Sequence, residues 1–113
     1  MEMLETRRND VVVFSLKRRL DAASSPSFRN HLQERIARGE RRFAVDTSGL
    51  TYISSAGLSL LLQVAKQLEE CSGRMVLCTL QGPVKRVLEI AGFMPLFSIF
   101  TSSEEAVQDF QRD

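Results

Sequence analysis

Asp46-Thr47-Ser48-Gly49-Leu50-Thr51-Tyr52-Ile53-Ser54-Ser55-Ala56-Gly57-Leu58-Ser59-Leu60-Leu61-Leu62 is the stretch on which the reading of this chain turns. Just ahead of it, Arg42-Phe43-Ala44-Val45 has the apolar character of a short strand, and from Ser55 onward the apolar residues recur at helical spacing. The stretch is therefore read as a strand end, a loop and a helix start. Ser54 and Ser55 fall where the helix begins, where backbone N–H groups lack intrahelical partners and the helix dipole presents its positive end. An anion placed there is stabilised. Such a position serves as a cap, a ligand site or a switch, and the surrounding sequence has to discriminate among them.

Downstream, the helix is expected to run from Ser55 to about Ser72. Leu58, Leu61, Leu62, Ala65 and Leu68 form its inward stripe, Leu60 and Val64 widen that stripe toward deeper burial, and Gly73 is placed to end the helix in a left-handed conformation. Met75-Val76-Leu77-Cys78 reads as a buried strand. Gly82-Pro83 opens a helix through Ala91, with Val84, Val87, Leu88 and Ala91 inward and Gly92 as its stop. Phe97 to Phe100 is a last short strand, and Ser102-Ser103-Glu104-Glu105 has capping-box spacing ahead of a terminal helix carrying Ala106, Val107 and Phe110.

Upstream, Met3 to Arg8 and Val11 to Leu16 are two strands joined by a tight reversal at Asn9-Asp10, with Lys17-Arg18-Arg19 as a solvated strand exit. Ser25 is read as an N-cap with Pro26 at the first helical position, opening a helix to about Arg38 that stops at Gly39. Phe28, Leu32 and Ile36 give that helix one apolar face, and His31 beside them is read as structural or surface. Strands alternating with helices imply an α/β fold with right-handed crossovers. The expected architecture is a mixed β-sheet of about five strands, opening with an antiparallel hairpin, with about four helices in one domain spanning residues 1–113.

Composition narrows the function classes. A net charge of +1 asks for neither nucleic acid nor an anionic membrane as partner. No apolar run is long enough to cross a bilayer and no leader pattern stands at the N-terminus, so a cytoplasmic protein without membrane insertion is expected. Cys71 and Cys78, with one His in the chain, cannot build a four-ligand zinc site from Cys and His alone, and both are read as reduced thiols that pack like small apolar residues. No metal and no cofactor are expected.

Several chemistries fail on the residues. Tyr52-Ile53-Ser54-Ser55-Ala56-Gly57 lacks the Gly-x-Ser-x-Gly elbow of a serine hydrolase, and His31, the sole candidate base, precedes the serine. The chain has no Gly-x-x-x-x-Gly-Lys-Ser/Thr loop for a nucleotide phosphate. A receiver domain phosphorylated on Asp46 would need acidic magnesium ligands after the first long strand, where Lys17-Arg18-Arg19 stands instead, and Asp46 has the simpler role of a turn residue bonding N–H groups near Ser48. What remains is a hydroxyl that another protein modifies. A phosphate on Ser55 would add ~1.5 to 2 negative charges and three acceptors where the backbone tolerates an anion. The plainer alternative is that Ser54 is only an N-cap worth ~1 kcal/mol.

Three local matches, in this order and spacing, resemble the STAS domain, in particular its single-domain bacterial anti-sigma-factor antagonists. Leu20-Asp21 is similar to the family's Gly-Glu-Leu-Asp stretch, and Ile53-Ser54-Ser55-Ala56-Gly57-Leu58 to its Asp-Ser-Ser/Thr-Gly-Leu signature. Pro83-Val84-Lys85-Arg86-Val87-Leu88 followed by Ala91-Gly92-Phe93 is similar to its later helix and turn. The resemblance implies a non-enzymatic protein that binds an anti-sigma factor/serine kinase when unphosphorylated, is released by phosphorylation at Ser55, and is reset by a PP2C-type phosphatase. It places partner contacts at Asp21, Ser54, Ala56 and Gly57, with Ser54 as a helix cap and possible second acceptor. A constitutive STAS subunit of a lipid-transport ATPase or a stressosome-like complex is the other expectation. This chain departs from the pattern in two places. Ser54 stands where the family has aspartate, and Lys17-Arg18-Arg19 stands where it usually has Thr/Ser-Gly-Glu, reversing the charge near the expected partner surface.

Overall fold

Val11-Val12-Val13-Phe14 feeds side chains alternately to two faces of a strand, and both faces are covered. In the computed structural model, which describes residues 1–112, β1 (Met3–Arg8) reverses at Asn9-Asp10 into β2 (Val11–Leu20). Asn9 takes φ 56°, a left-handed conformation that Asn tolerates in a tight turn. β3 (Arg42–Ile53), β4 (Arg74–Cys78) and β5 (Ile99–Phe100) follow in spatial order, each parallel to the strand before it. The five strands among the described residues thus make the expected mixed sheet, with its antiparallel pair at one edge.

The parallel connections are carried by α1 (Ser25–Ala37), α2 (Ser55–Glu70) and α3 (Gly82–Ile90), which share one core with the β2 residues Val12, Phe14 and Leu16. Phe14 packs edge-on to Phe28 at 5.6 Å and to Phe43 at 5.5 Å between ring centroids, tying α1 and β3 to β2. On the other face α4 (Ser103–Gln111) lays Ala106, Val107 and Phe110 over Val11, Val13, Ala44 and Val76. α4 starts as its sequence demands: the Ser102 hydroxyl accepts from the Glu105 N–H at 3.1 Å, and the Glu105 carboxylate reaches back to the Thr101 N–H at 3.0 Å. Leu60 and Val64 are buried in α2, while Leu62 is only half-buried.

Two strands are longer than their apolar runs. Lys17-Arg18-Arg19 is not an exit from β2 but its continuation to Leu20, and the segment after Asp46 is not a loop but β3 continuing to Ile53. Each half is polar, and each is held by the other: Lys17 pairs with Gly49, Arg18 with Leu50, Arg19 with Tyr52 and Leu20 with Ile53, across two register shifts. Pairing with β1 stops at Leu16 and pairing with β4 stops at Asp46, so the extension is a two-stranded ribbon rising from the sheet. Gly49 is required at its base, because a Cβ there would lie 2.7 Å from the Leu16 carbonyl oxygen.

Two helix ends also differ from expectation. Ser24, not Ser25, is the N-cap residue of α1, and it makes no side-chain cap bond. The Asp21 carboxylate instead accepts from the Ala23 and Ser24 N–H groups at 3.1 Å each, and Ser25 is buried in the first turn. At the end of α2 the left-handed residue is Ser72 (φ 65°) rather than Gly73, where a Cβ would lie 2.6 Å from the Arg41 carbonyl oxygen. The expected last strand contracts to Ile99-Phe100, with a 3-10 turn at Met94–Leu96 before it and Phe97 folded into the core. Cys78 is buried and Cys71 half-buried, and neither is in a disulfide. Burial pushes the Cys78 thiol up to about 11.

Candidate partner-binding site at the start of helix α2

The tip of the ribbon delivers the chain into α2. Ser54 is extended (φ −97°, ψ 174°), and its N–H donates to the Leu20 carbonyl at 2.9 Å, one last rung between the two strands. Its hydroxyl accepts from the Gly57 N–H at 3.3 Å, and its carbonyl accepts from the Leu58 N–H at 2.9 Å. Ser54 is therefore the N-cap of α2, satisfying one of the donors that a helix start leaves open. Gly57 explains how the helix can begin flush against β2. A Cβ at that position would stand 2.6 Å from the Leu20 carbonyl oxygen and 2.9 Å from the Leu20 Cγ.

Ser55 is the first helical residue and is exposed, and its hydroxyl makes no hydrogen bond among the described residues. Ala56 beside it is half-buried. The first turn of α2 carries no acidic side chain, so nothing of negative charge in that turn opposes an anion at its positive end.

Asp21 follows Leu20, the residue whose carbonyl holds Ser54, so the fold brings the expected acidic position to the same end of the sheet as the two serines. The Arg19 guanidinium bonds its Oδ2 at 3.1 Å, and this pairing, with the Ser24 N–H next in weight, holds the Asp21 carboxyl below its ordinary value. The same guanidinium lies 4.2 Å from the centroid of the Tyr52 ring, which is 41% exposed. Arg18, at φ 68° beside a register shift, pairs with Glu2 at 2.6 Å. Arg19 and Tyr52 stand together at this end of the sheet, a placement that strand-by-strand reading passes over, since one lies in a basic triplet and the other in an apparent loop. Their register across the ribbon is the signal that joins them.

His31 is engaged at Nδ1 by the Ser27 carbonyl one turn earlier in α1, at 2.8 Å, and no hydrogen bond links it to Ser55 among the described residues. Asp46 accepts from the Ser48 N–H at 3.0 Å, the turn-like role expected of it. No group of three His, Cys, Asp or Glu among the described residues is placed to hold a metal ion, and no helix among them is long and apolar enough to cross a membrane.

The family model described as the STAS domain matches residues 3–106, which takes in the whole sheet and all of α1, α2 and α3. The chain belongs to the STAS domain family. Among curated STAS relatives, BtrV of Bordetella bronchiseptica, assigned as an anti-sigma factor antagonist, is 35% identical over 111 residues, covering 98% of this chain and 96% of its own. Among solved structures, an anti-sigma factor antagonist from Mycobacterium paratuberculosis superposes with a TM-score of 0.87 at 19% identity, over 99% of this chain and 94% of that one. The Bacillus cell fate determinant SpoIIAA in its phosphorylated form gives 0.77 at 22% identity, over 96% and 99%. At these identities the structural likeness speaks for the STAS fold, and the BtrV alignment adds likeness across nearly the full sequence.

Proposed function

We propose that this STAS protein is an anti-sigma-factor antagonist that works by partner switching. Unphosphorylated, it binds an anti-sigma factor that is also a serine kinase; phosphorylation of Ser55 releases it, and a PP2C-type phosphatase restores it. The chain acts as one domain in the cytoplasm and catalyses nothing itself. The observation that carries this reading is the exposed, unbonded Ser55 hydroxyl at the first position of α2, in a chain whose relatives include proteins assigned as anti-sigma factor antagonists.

The physics of the site supports a switch that leaves the fold in place. A phosphate on Ser55 gains from the helix dipole and from N–H groups that Ser54 does not satisfy. Ser54 and Ala56 lie in the same first turn, so a partner contacting them meets the added charge directly, while Gly57 is buried against Leu20 and serves to seat that turn. Asp21 completes the rim through its cap on the start of α1.

The test is incubation with ATP and a candidate anti-sigma factor kinase encoded beside this chain. One phosphate is expected at Ser55, with none in Ser55→Ala and with Ser54→Ala still modified. Phosphorylation, or Ser55→Asp, is expected to dissociate the complex. Binding that is equally tight for wild type and Ser55→Asp would sink the switch and favour a constitutive subunit.

A further inference from the structure

Arg19 is committed to two partners and holds neither firmly. Its Nε donates to Asp21 Oδ2 at 3.1 Å, its guanidinium covers Tyr52 at 4.2 Å, and its side chain remains 59% exposed. The Nη groups make no hydrogen bond among the described residues, so the bidentate face of the guanidinium is unused. Asp21 keeps other partners without it. Oδ1 already accepts from the Ala23 and Ser24 N–H groups, and those bonds persist if the Arg19 side chain leaves.

Arg19 is also close in the chain pairing to the start of α2. It sits opposite Tyr52, three residues before Ser55, and the next residue, Leu20, holds the Ser54 N–H. Arg18, whose Nε pairs with Glu2 at 2.6 Å, lies opposite Leu50, farther along the ribbon from Ser55 than Tyr52, which makes Arg19 the nearer guanidinium in the strand pairing.

We propose that Arg19 is the internal receptor for a phosphate on Ser55: it gives up Asp21 for the phosphoserine and draws off the Tyr52 ring. The inference rests on the reading of Ser55 as the phosphoacceptor. Its physical basis is a contest between two acceptors. Asp21 offers one charge and one bond to Nε, whereas phosphoserine offers ~1.5 to 2 charges and three oxygens that match the guanidinium fork. The exchange happens at the surface and opens no part of the core. Its consequence is a reshaped rim, because Tyr and Arg are the residue types that most often anchor protein interfaces, and both change state here. Phosphorylation then does more than repel a partner; it dismantles the Arg19–Tyr52 stack that the partner meets.

The test uses phosphoserine installed at position 55 during translation, so that it is independent of any kinase. Phosphorus NMR titration reads the second phosphate ionisation, which is expected at lower pH in the otherwise wild-type protein than in Arg19→Gln by roughly 0.2–0.7 unit, the range an exposed ion pair supplies. Arg19→Lys, which keeps the charge and loses the fork, should fall between. Among the described residues the ring recorded against the Arg19 guanidinium is that of Tyr52, the sole tyrosine, so ring-current shifts on Arg19 protons report on that stack. Those protons should move toward unshifted positions when the phosphate is present. Identical phosphate ionisation in wild type and Arg19→Gln, or Arg19 resonances that stay put, would overturn the proposal. Failure of every kinase to modify Ser55 would instead count against the proposed function and leave this result standing.

Discussion

Gly57 shows how tightly a single residue can fix the site. A methyl group there would meet the Leu20 carbonyl oxygen at 2.6 Å, a backbone atom that also holds Ser54. Gly57→Ala gains about 1 kcal/mol of helix propensity, but overpacking against a backbone oxygen costs up to ~3 kcal/mol, and a net loss of up to ~2 kcal/mol is expected in urea denaturation. Asp21 supplies a prediction in pH. Arg19 first, and the Ser24 N–H next, hold its folded pKa below the ordinary value of 3.8. The folded state therefore binds fewer protons than the unfolded chain, so the contribution is present above the unfolded pKa and is lost as pH falls through the folded one. Asp21→Asn should be less stable than wild type at neutral pH, with the two urea midpoints converging below about pH 3.8.

At the scale of elements, apolar spacing marked out most of this fold. The hairpin, the four helices and the buried β4 follow from residues such as Val11–Phe14, Phe28, Leu32 and Met75–Cys78, whose own pattern suffices. The site was half legible. Ser54 as cap and Ser55 as an exposed helix start could be read from one segment, but the ribbon beneath them could not. Lys17–Arg19 and Ser48–Tyr52 are polar, and they are strands only because each pairs with the other, a relation between segments that no single-segment period contains. The end of α2 differs for a related reason: a Gly next to a helix end suggests a left-handed residue, yet Gly73 is demanded by the close approach of the Arg41 carbonyl just ahead of β3, and it is Ser72 that takes φ 65°. Ser72→Gly should accordingly stabilise the protein by about 1 kcal/mol. Gly73→Ala should destabilise it, and paired thermal melts separate the two.

For the whole molecule, the second face of the sheet depends on one short helix. Phe110 is 1% exposed, with the guanidinium groups of Arg42 and Arg74 at 5.9 and 5.2 Å from its ring centroid. Phe110→Ala should lower stability by ~3–5 kcal/mol, read as a shift in urea midpoint. The other end of the sheet is built differently. The ribbon of Lys17–Leu20 and Gly49–Ile53 has no flanking strand, and Leu20, Leu50 and Ile53 fasten it to the core from one side. In the language of hydrogen exchange, the amides of Arg19, Leu20 and Ser54 should lose protons to solvent well before those of Val12 to Phe14, through a partial opening that leaves the five-stranded body closed. Uniform protection along β2 would contradict this. The serines are thus mounted on a segment with its own clock, and the surface they offer is renewed on a timescale shorter than the lifetime of the fold that carries it.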